Sequence, residues 1–344
     1  MRRKHMKQIE SVGIQGVGYY VPDQVITNED VERLTSVPAE KVKLILSVDE
    51  RRWVNDDEAL SDIAVKAGEA ALKDAGVSPE EIGLLILGTG SSDFYCPPSG
   101  CQVQHRLGLK NAMLLNINQA CATPIFCLST AARFVADGTY KKALVICGDI
   151  SSRFLNFSEN LLAGALGDAA SAVVLGKLKD GYKGFLSEHF DADGEHFDAS
   201  GLFAFGSRIP REEFGEGKPY PIVKNEKMNF LIPEIINWFR GSFDICLERA
   251  GLTKDDLDFV APHPAAIPQI YMQLDSAGIS YDKNLIVTDK IGHSGGGSMF
   301  IILHEAREVG MIKPGSKIFC FGNGAGFNWG GILFRWCDSS EFAN

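Results

Sequence analysis

The chain has 344 residues, 45% of them hydrophobic and 23% charged, with a net charge of −10 and a pI near 5.3. That length supports a large core, and an acidic balance without a concentrated stripe of Lys and Arg excludes a nucleic-acid binder, whose phosphate contacts need clustered cations. No apolar run reaches the length of a membrane span, and the basic start Met1-Arg2-Arg3-Lys4-His5 leads into Gln8-Ile9-Glu10 rather than an apolar stretch, so no membrane contact, no secretory leader and a cytoplasmic location are expected.

Hydrophobic periodicity predicts, in chain order, a strand over 13–20, a helix over 61–74, a strand over 84–88, a helix over 99–107, a strand over 114–116, a helix over 124–136 and strands over 143–146 and 172–175. Residues 178–228 then break the rhythm, carrying Gly, Asp, Phe and charged residues without a sustained period, as in Phe214-Gly215-Glu216-Gly217-Lys218-Pro219. Such a segment reads as a functional cover. The pattern resumes with an amphipathic helix over 229–250, a strand over 259–261, a helix over 265–277, a strand at Leu285-Ile286-Val287, a helix over 298–309 and two closing strands around Phe319 and Leu333. The expected organisation is an N-terminal half over 1–178, the irregular cover over 179–228 and a C-terminal half over 229–344.

The two halves repeat each other. Leu72-Lys73-Asp74-Ala75-Gly76-Val77-Ser78 has a counterpart in Leu247-Glu248-Arg249-Ala250-Gly251-Leu252-Thr253, each running into an apolar strand. The same offset carries Lys142-Ala143-Leu144-Val145 onto Lys317-Ile318-Phe319-Cys320. Two separated matches at one offset make this a duplicated α/β unit, and with no Pro/Ser-rich linker between them the halves form one fold with two lobes. Parallel sheets place ligands beyond their strand ends, and three reactive side chains fall there: Cys121, His263 and His293. The offset carries Cys121 into Gly292-His293-Ser294-Gly295-Gly296-Gly297, so Cys121 and His293 occupy nearly corresponding places in the two halves.

Eight cysteines without a Cys-x-x-Cys pair read as free thiols, and neither structural zinc nor any other metal is expected. Cys121, between a strand and a helix N-terminus, is in the setting that favours a thiolate nucleophile; a buried core cysteine is the alternative. His263 is presented from a stiff loop between Pro262 and Pro264, and His293 sits beside three glycines that admit close approach; each is either catalytic or structural. His105 and His304 read as ordinary helical residues. The stretch Phe321-Gly322-Asn323-Gly324-Ala325-Gly326 superficially matches a dinucleotide fingerprint, but it is followed by a strand and not by a helix, so no nucleotide cofactor is expected.

Asn116-Ile117-Asn118-Gln119-Ala120-Cys121-Ala122, Val260-Ala261-Pro262-His263-Pro264-Ala265 and Gly324-Ala325-Gly326-Phe327-Asn328-Trp329-Gly330 resemble three signatures of the thiolase superfamily, in particular 3-oxoacyl-[acyl-carrier-protein] synthase III and its relatives, with weaker agreement over 12–22 and 97–108. The resemblance implies a thiolase-like five-layered αβαβα fold and a homodimer, with a heterodimer of catalytic and non-catalytic subunits as the alternative. It implies acyl-thioester substrates on carrier protein or coenzyme A, and a Cys-His-Asn site for decarboxylative condensation. Cys121 then accepts the acyl group and His263 is the family histidine. The Cys121 and Ala325 amides form the oxyanion hole, and Cys96 and Leu166 line the acyl pocket. The chain departs where the family has Gly-Asn-x-Ser and it has Gly292-His293-Ser294, a Cys-His-His arrangement like that of elongating condensing enzymes. It also reads Ala39-Glu40-Lys41-Val42 and Ile45-Leu46-Ser47-Val48 where the family's Trp and Arg hold the adenine of coenzyme A, and Pro268 where an Arg serves carrier docking. Cys96 replaces the Phe that often precedes Pro97. These departures imply a condensing enzyme of a specialised pathway with an enlarged acyl pocket; acyl transfer to an alcohol or amine, or a non-catalytic subunit of a heterodimeric synthase, is the alternative.

Overall fold

The computed structural model describes residues 9, 11–155, 161–203, 207, 222–223 and 225–343. The Met1–His5 start and, of the cover over 179–228, residues 204–206, 208–221 and 224 lie outside them. The first half runs β1 (Val12–Tyr20), β2 (Gln24–Thr27), α1 (Asn28–Thr35), α2 (Ala39–Leu46), β3 (Glu50–Trp53), α3 (Leu60–Ala75), β4 (Leu84–Gly88), α4 (Gly100–Arg106), β5 (Met113–Ile117), α5 (Thr123–Ala136), β6 (Lys142–Ile150), α6 (Leu162–Ala165) and β7 (Asp168–Lys177). The second runs β8 (Phe185–Ala192), β9 (Ser200–Gly201), β10 (Ile222–Val223), α7 (Asn225–Ala250), β11 (Phe259–Ala261), α8 (Ile267–Ala277), α9 (Thr288–Ile291), α10 (Ser298–Glu308), β12 (Lys317–Gly324) and β13 (Asn328–Arg335).

The duplication is visible in the sheets. The first is ordered β1-β7-β6-β4-β5 and the second β8-β13-β12-β11, so the repeat superposes β4 on β11 and β6 on β12. In both, the equivalent pairs β4·β6 and β11·β12 are parallel and the strands beyond β6 and β12 run antiparallel, while β5 adds a further parallel edge to the first sheet. β4 and β6 are buried on both faces, as their unbroken apolar runs require. α5 and α10 lie between the sheets: Ile125, Leu128 and Val135 of α5 share one core with Phe300 and Leu303 of α10 and with the inward faces of both sheets. α3 covers the outer face of the first sheet and α7 and α8 that of the second. The result is the five-layered αβαβα fold. A helix packed on both sides must be apolar nearly all round, which is why α5 carries so many small and apolar residues.

Two expectations are corrected. The cover drawn over 179–228 opens with a strand: β8 pairs antiparallel with β13 and belongs to the second sheet. Its polar residues hid it, yet they are satisfied; Glu188 is buried and accepts from Ser129 Oγ at 2.7 Å while pairing with Arg133. Conversely, Leu285-Ile286-Val287 is not a strand. The Asn284 side chain donates to Val260 O at 2.9 Å, so a side chain takes up the β11 edge that in the first half is paired by β5.

Residues 24–53 form a further unit that periodicity did not resolve: the β2–β3 hairpin with α1 and α2. α1 opens with a capping box in which Thr27 N–H donates to Asp30 Oδ2 at 2.8 Å and Asp30 N–H to Thr27 Oγ1 at 3.3 Å.

Candidate active site

Cys121 stands in the loop between β5 and α5. Ala120, immediately before it, has a left-handed backbone (φ 48°), a conformation an L-residue holds only when its surroundings enforce it. The enforcement is local: Asn118 Oδ1 accepts from Ala120 N at 3.0 Å, while Thr123 Oγ1 accepts from Gln119 N at 2.9 Å and donates to Ala120 O at 2.6 Å. Gly88 at the end of β4 admits this turn, since a Cβ there would lie 2.4 Å from Thr123 Cγ2. The β12–β13 turn containing Ala325 packs on the same loop, where a Cβ on Gly324 would meet Gln119 O at 2.2 Å.

The second half supplies the histidines. His263 follows β11 in a buried loop whose carbonyl accepts from Gln273 Nε2 at 3.4 Å. His293 is held by the first half: its N–H donates to Ala165 O at 2.7 Å and its carbonyl accepts from Gly167 N at 3.0 Å. Gly292 makes this clasp feasible, with φ 70° and space for no Cβ against Arg51 and Gly167. Both imidazoles are buried, their rings edge-to-face with centroids 5.2 Å apart. Ligand-capable atoms of Cys121, His263 and His293 all lie within 4.8 Å of one another. The three residues singled out in the sequence are thus brought together. His263 Nδ1 and His293 Nε2 have no hydrogen-bond partner, while His293 Nδ1 lies 3.4 Å from Ser298 Oγ.

The resting site is uncharged at its centre. Burial pushes the Cys121 thiol up to about 12, the Asp149 carboxylate adding in the same direction. Burial holds His293 down to about 4, and burial with the neighbouring His293 holds His263 well below the ordinary imidazole value. The thiolate expected from a helix N-terminus is therefore corrected. The local amides are already engaged, Ala122 N–H with Gln119 O and Thr123 N–H with Ala120 O, and desolvation outweighs the dipole.

Two buried charged residues complete the frame. Asp149, at the end of β6, accepts through one oxygen from Thr89 Oγ1, Gly90 N and Ser91 Oγ and through the other from Gly296 N at 2.8 Å, joining the loop after β4 to the turn that follows His293. A carboxylate closing an apolar strand was the signal in the sequence. Arg51, fully buried, donates to Ile26 O, Asn28 Oδ1 and Gly164 O. It ties the 24–53 unit to the segment that clasps His293.

Of the other expected residues, Leu166 lies beside His293, its carbonyl accepting from Trp53 Nε1 at 3.2 Å, and it packs against the small core of the 24–53 unit. Cys96, before a cis peptide bond to Pro97, is exposed in the single chain. Lys41 and Ile45 on α2 are exposed, and Leu44 beside them is 82% exposed. His304 belongs to α10 and pairs with Glu305. No helix among the described residues is long and apolar enough to cross a membrane.

Known proteins agree with this architecture. A family model for 3-oxoacyl-[acyl-carrier-protein] synthase III matches residues 115–194, and the model of its C-terminal part matches 247–336. The beta-ketoacyl-[acyl-carrier-protein] synthase III 1 of Bacillus cereus is 33% identical over 329 residues, 95% of this chain and 99% of that protein. The solved 3-oxoacyl-[acyl-carrier-protein] synthase III of Aquifex aeolicus superposes with a TM-score of 0.86 at 27% identity, covering 94% of this chain and 100% of that one. The priming β-ketosynthase of the R1128 polyketide pathway shares the fold with a TM-score of 0.86 at 24% identity, over 98% of this chain and 100% of that one. With thiolase-type architecture, a Cys-His-His cluster where the two halves meet and a relative matched along nearly its whole length, the chain belongs to the beta-ketoacyl-[acyl-carrier-protein] synthase III family of condensing enzymes.

Proposed function

We propose that the protein joins an acyl group carried on Cys121 to a malonyl- or 3-oxoacyl-thioester by Claisen condensation, in a specialised fatty-acid or polyketide-type pathway. The observation that carries this reading is the convergence of one thiol and two buried neutral imidazoles within 4.8 Å. In the loading step the Cys121 proton passes to His263 as sulfur attacks the incoming thioester carbonyl, and the oxyanion is met by the Cys121 and Ala325 amides. The departing carrier thiolate takes that proton. In the second step a malonyl thioester loses its carboxylate as carbon dioxide, and the resulting enolate oxygen accepts hydrogen bonds from His263 and His293. The enolate carbon attacks the acyl carbonyl, and Cys121 leaves as thiolate to be reprotonated.

A neutral imidazole donates from one nitrogen only. Ser298 Oγ accepts from Ser294 N at 3.0 Å and lies 3.1 Å from Ser294 Oγ; with the Ser294 hydroxyl donating to it, its own proton points at His293 Nδ1 and places the ring proton on Nε2, the nitrogen without a protein partner. His293 therefore serves as enolate donor. The exposed Lys41 and Ile45 offer no adenine-stacking pair, and Cys96 leaves room for a longer or broader acyl chain.

Intact-mass spectrometry after incubation with a panel of acyl thioesters tests loading, with Cys121→Ala as the variant that must not load. Adding a malonyl thioester to the loaded enzyme should release carbon dioxide and a 3-oxoacyl product. Transfer of the acyl group to an alcohol or amine without carbon dioxide would replace condensation with acyl transfer, and a thioester-linked mass retained in Cys121→Ala would overturn the nucleophile.

A further inference from the structure

The side chains that make the site also make a ligand set. Among the described residues, Cys121, His263 and His293 form the group of three metal-capable side chains whose donor atoms converge, all within 4.8 Å of one another. Bound to a tetrahedral Zn²⁺ with Zn–N of about 2.0–2.1 Å and Zn–S of about 2.3 Å, such atoms sit on the order of 3.5 Å apart, within a side-chain rotation of the observed spacing. Two further features point the same way. Each imidazole is 97% buried by the complement of its 3% exposure and carries a ring nitrogen with no hydrogen-bond partner, Nδ1 of His263 and Nε2 of His293. The backbone clasp of His293 by Ala165 and Gly167 presets one ligand without a metal having to order it.

We propose that Cys121, His263 and His293 form an exchangeable site for a borderline divalent ion of the Zn²⁺ class, with the fourth position left to water, and that the ion caps the nucleophile and competes with acyl loading. The metal site stands on geometry alone; the competition rests on the function proposed above. The residue that creates the site is His293. A Cys-His-Asn arrangement offers two good zinc donors and an amide, which is seldom a zinc ligand, whereas this chain offers the sulfur and two imidazoles that Zn²⁺ takes in three-ligand sites. Binding forms a metal–sulfur bond in place of the S–H bond, and the proton goes to solvent. The metal is held at the active site and has no part in the fold, consistent with the lack of any Cys-x-x-Cys pair.

The test is a Co²⁺ titration of the full chain in a Cys96→Ser/Cys101→Ser parent, which removes the two exposed thiols. The expected result is a thiolate-to-cobalt charge-transfer absorption with d–d bands of tetrahedral intensity, saturating at one ion per chain and erased by Zn²⁺. Cys121→Ser should remove the charge-transfer band. His293→Asn should weaken cobalt binding by at least the ~10- to 100-fold that loss of an outer-shell partner costs. Zn²⁺ should slow acyl loading of Cys121 in the unsubstituted chain, and a chelator should restore it. No band in the parent, a band that survives Cys121→Ser, or unchanged affinity in His293→Asn overturns the site, even where acyl loading proceeds normally. Cobalt binding with the expected variant pattern, in a metal-free protein that no thioester acylates, upholds the site and overturns the proposed function instead.

Discussion

Asp149→Asn separates the mechanical role of this carboxylate from its electrostatic one, because the substitution moves two readouts in opposite directions. Asp149 is 8% exposed and accepts four hydrogen bonds, three on one oxygen and one from Gly296 N on the other. Burial raises its carboxyl, but four donors aimed at it favour the ionised form. The amide keeps one oxygen for the Thr89–Ser91 loop and turns an NH₂ toward the Gly296 N–H, leaving that donor unsatisfied at about 1–3 kcal/mol and weakening three charge-assisted bonds to neutral ones. Relief of the buried charge offsets part of this, for a net loss of about 2–3 kcal/mol. With an unfolding entropy of about 2.1 cal/mol/K per residue over 344 residues, the melting temperature should fall by about 3–4 °C. Removing the charge that helps hold the Cys121 thiol up should at the same time make that thiol easier to ionise. Calorimetry reads the first effect, and peptide mapping of Cys121 after a timed iodoacetamide pulse at fixed pH reads the second. A lower melting temperature with slower alkylation of Cys121 would refute the electrostatic role, and no change in either would refute both.

Alkylation of Cys121 in the wild-type enzyme should still be rising at pH 9–10, about tenfold per pH unit, because the thiol lies near 12 and the thiolate is the reactive form; a plateau near pH 8 would show an activated thiolate at rest. His293→Ala should leave loading of Cys121 largely intact and slow condensation by roughly a hundredfold, the scale of one lost oxyanion donor, with His293→Asn recovering part of the rate. Equal loss in both half-reactions would place His293 in nucleophile activation. Gly292→Ala forces an L-residue to φ 70° with a Cβ 2.8 Å from Arg51 Cβ. It should cost about 1–3 kcal/mol of stability and slow condensation more than loading; a wild-type melting temperature would count against the clasp. Cys96→Phe should shift loading toward short acyl groups without changing Cys121 reactivity, and an unaltered chain-length profile would exclude a place for Cys96 in an acyl pocket.

The duplication was legible because a helix end, a turn glycine and the following strand recur in order; Gly76 and Gly251 both sit left-handed at helix C-termini, where the repeat demands them. Cys121, His263 and His293 were legible because each closes or follows an apolar run. What escaped was held by polar contacts that leave no period. The 24–53 unit is built from four-residue strands and eight-residue helices around a buried Arg51, and α2 exposes Leu44, so neither periodicity nor hydrophobicity outlined it. β8 escaped because Glu188, His189 and Asp191 read as loop, although Ser129, Arg133 and Ser242 provide for the first two. The state of the Cys121 thiol also escaped. A helix N-terminus in the sequence does not reveal that its first amides are spent within the preceding turn.

These contacts explain why the site belongs to neither half. Cys121 comes from the first half and both imidazoles from the second, yet His293 takes its backbone position from Ala165 and Gly167 of the first half. Asp149 reaches from the first half to the Gly296 amide just beyond His293. Gly167 and Gly292 meet back to back, a Cβ on Gly167 falling 2.1 Å from Ile291 O, so the clasp tolerates no spacer. Duplication supplied two equivalent loops, and their divergence made one a cysteine turn and the other a histidine turn. Because the bonds that orient His293 cross from one half to the other, the distance from imidazole to sulfur is set by how the two sheets pack around α5 and α10. On the function proposed, a substitution in that shared core, far from any reacting atom, should therefore act on condensation through the placement of His293, while Cys121, anchored within its own turn, should keep its capacity to be acylated.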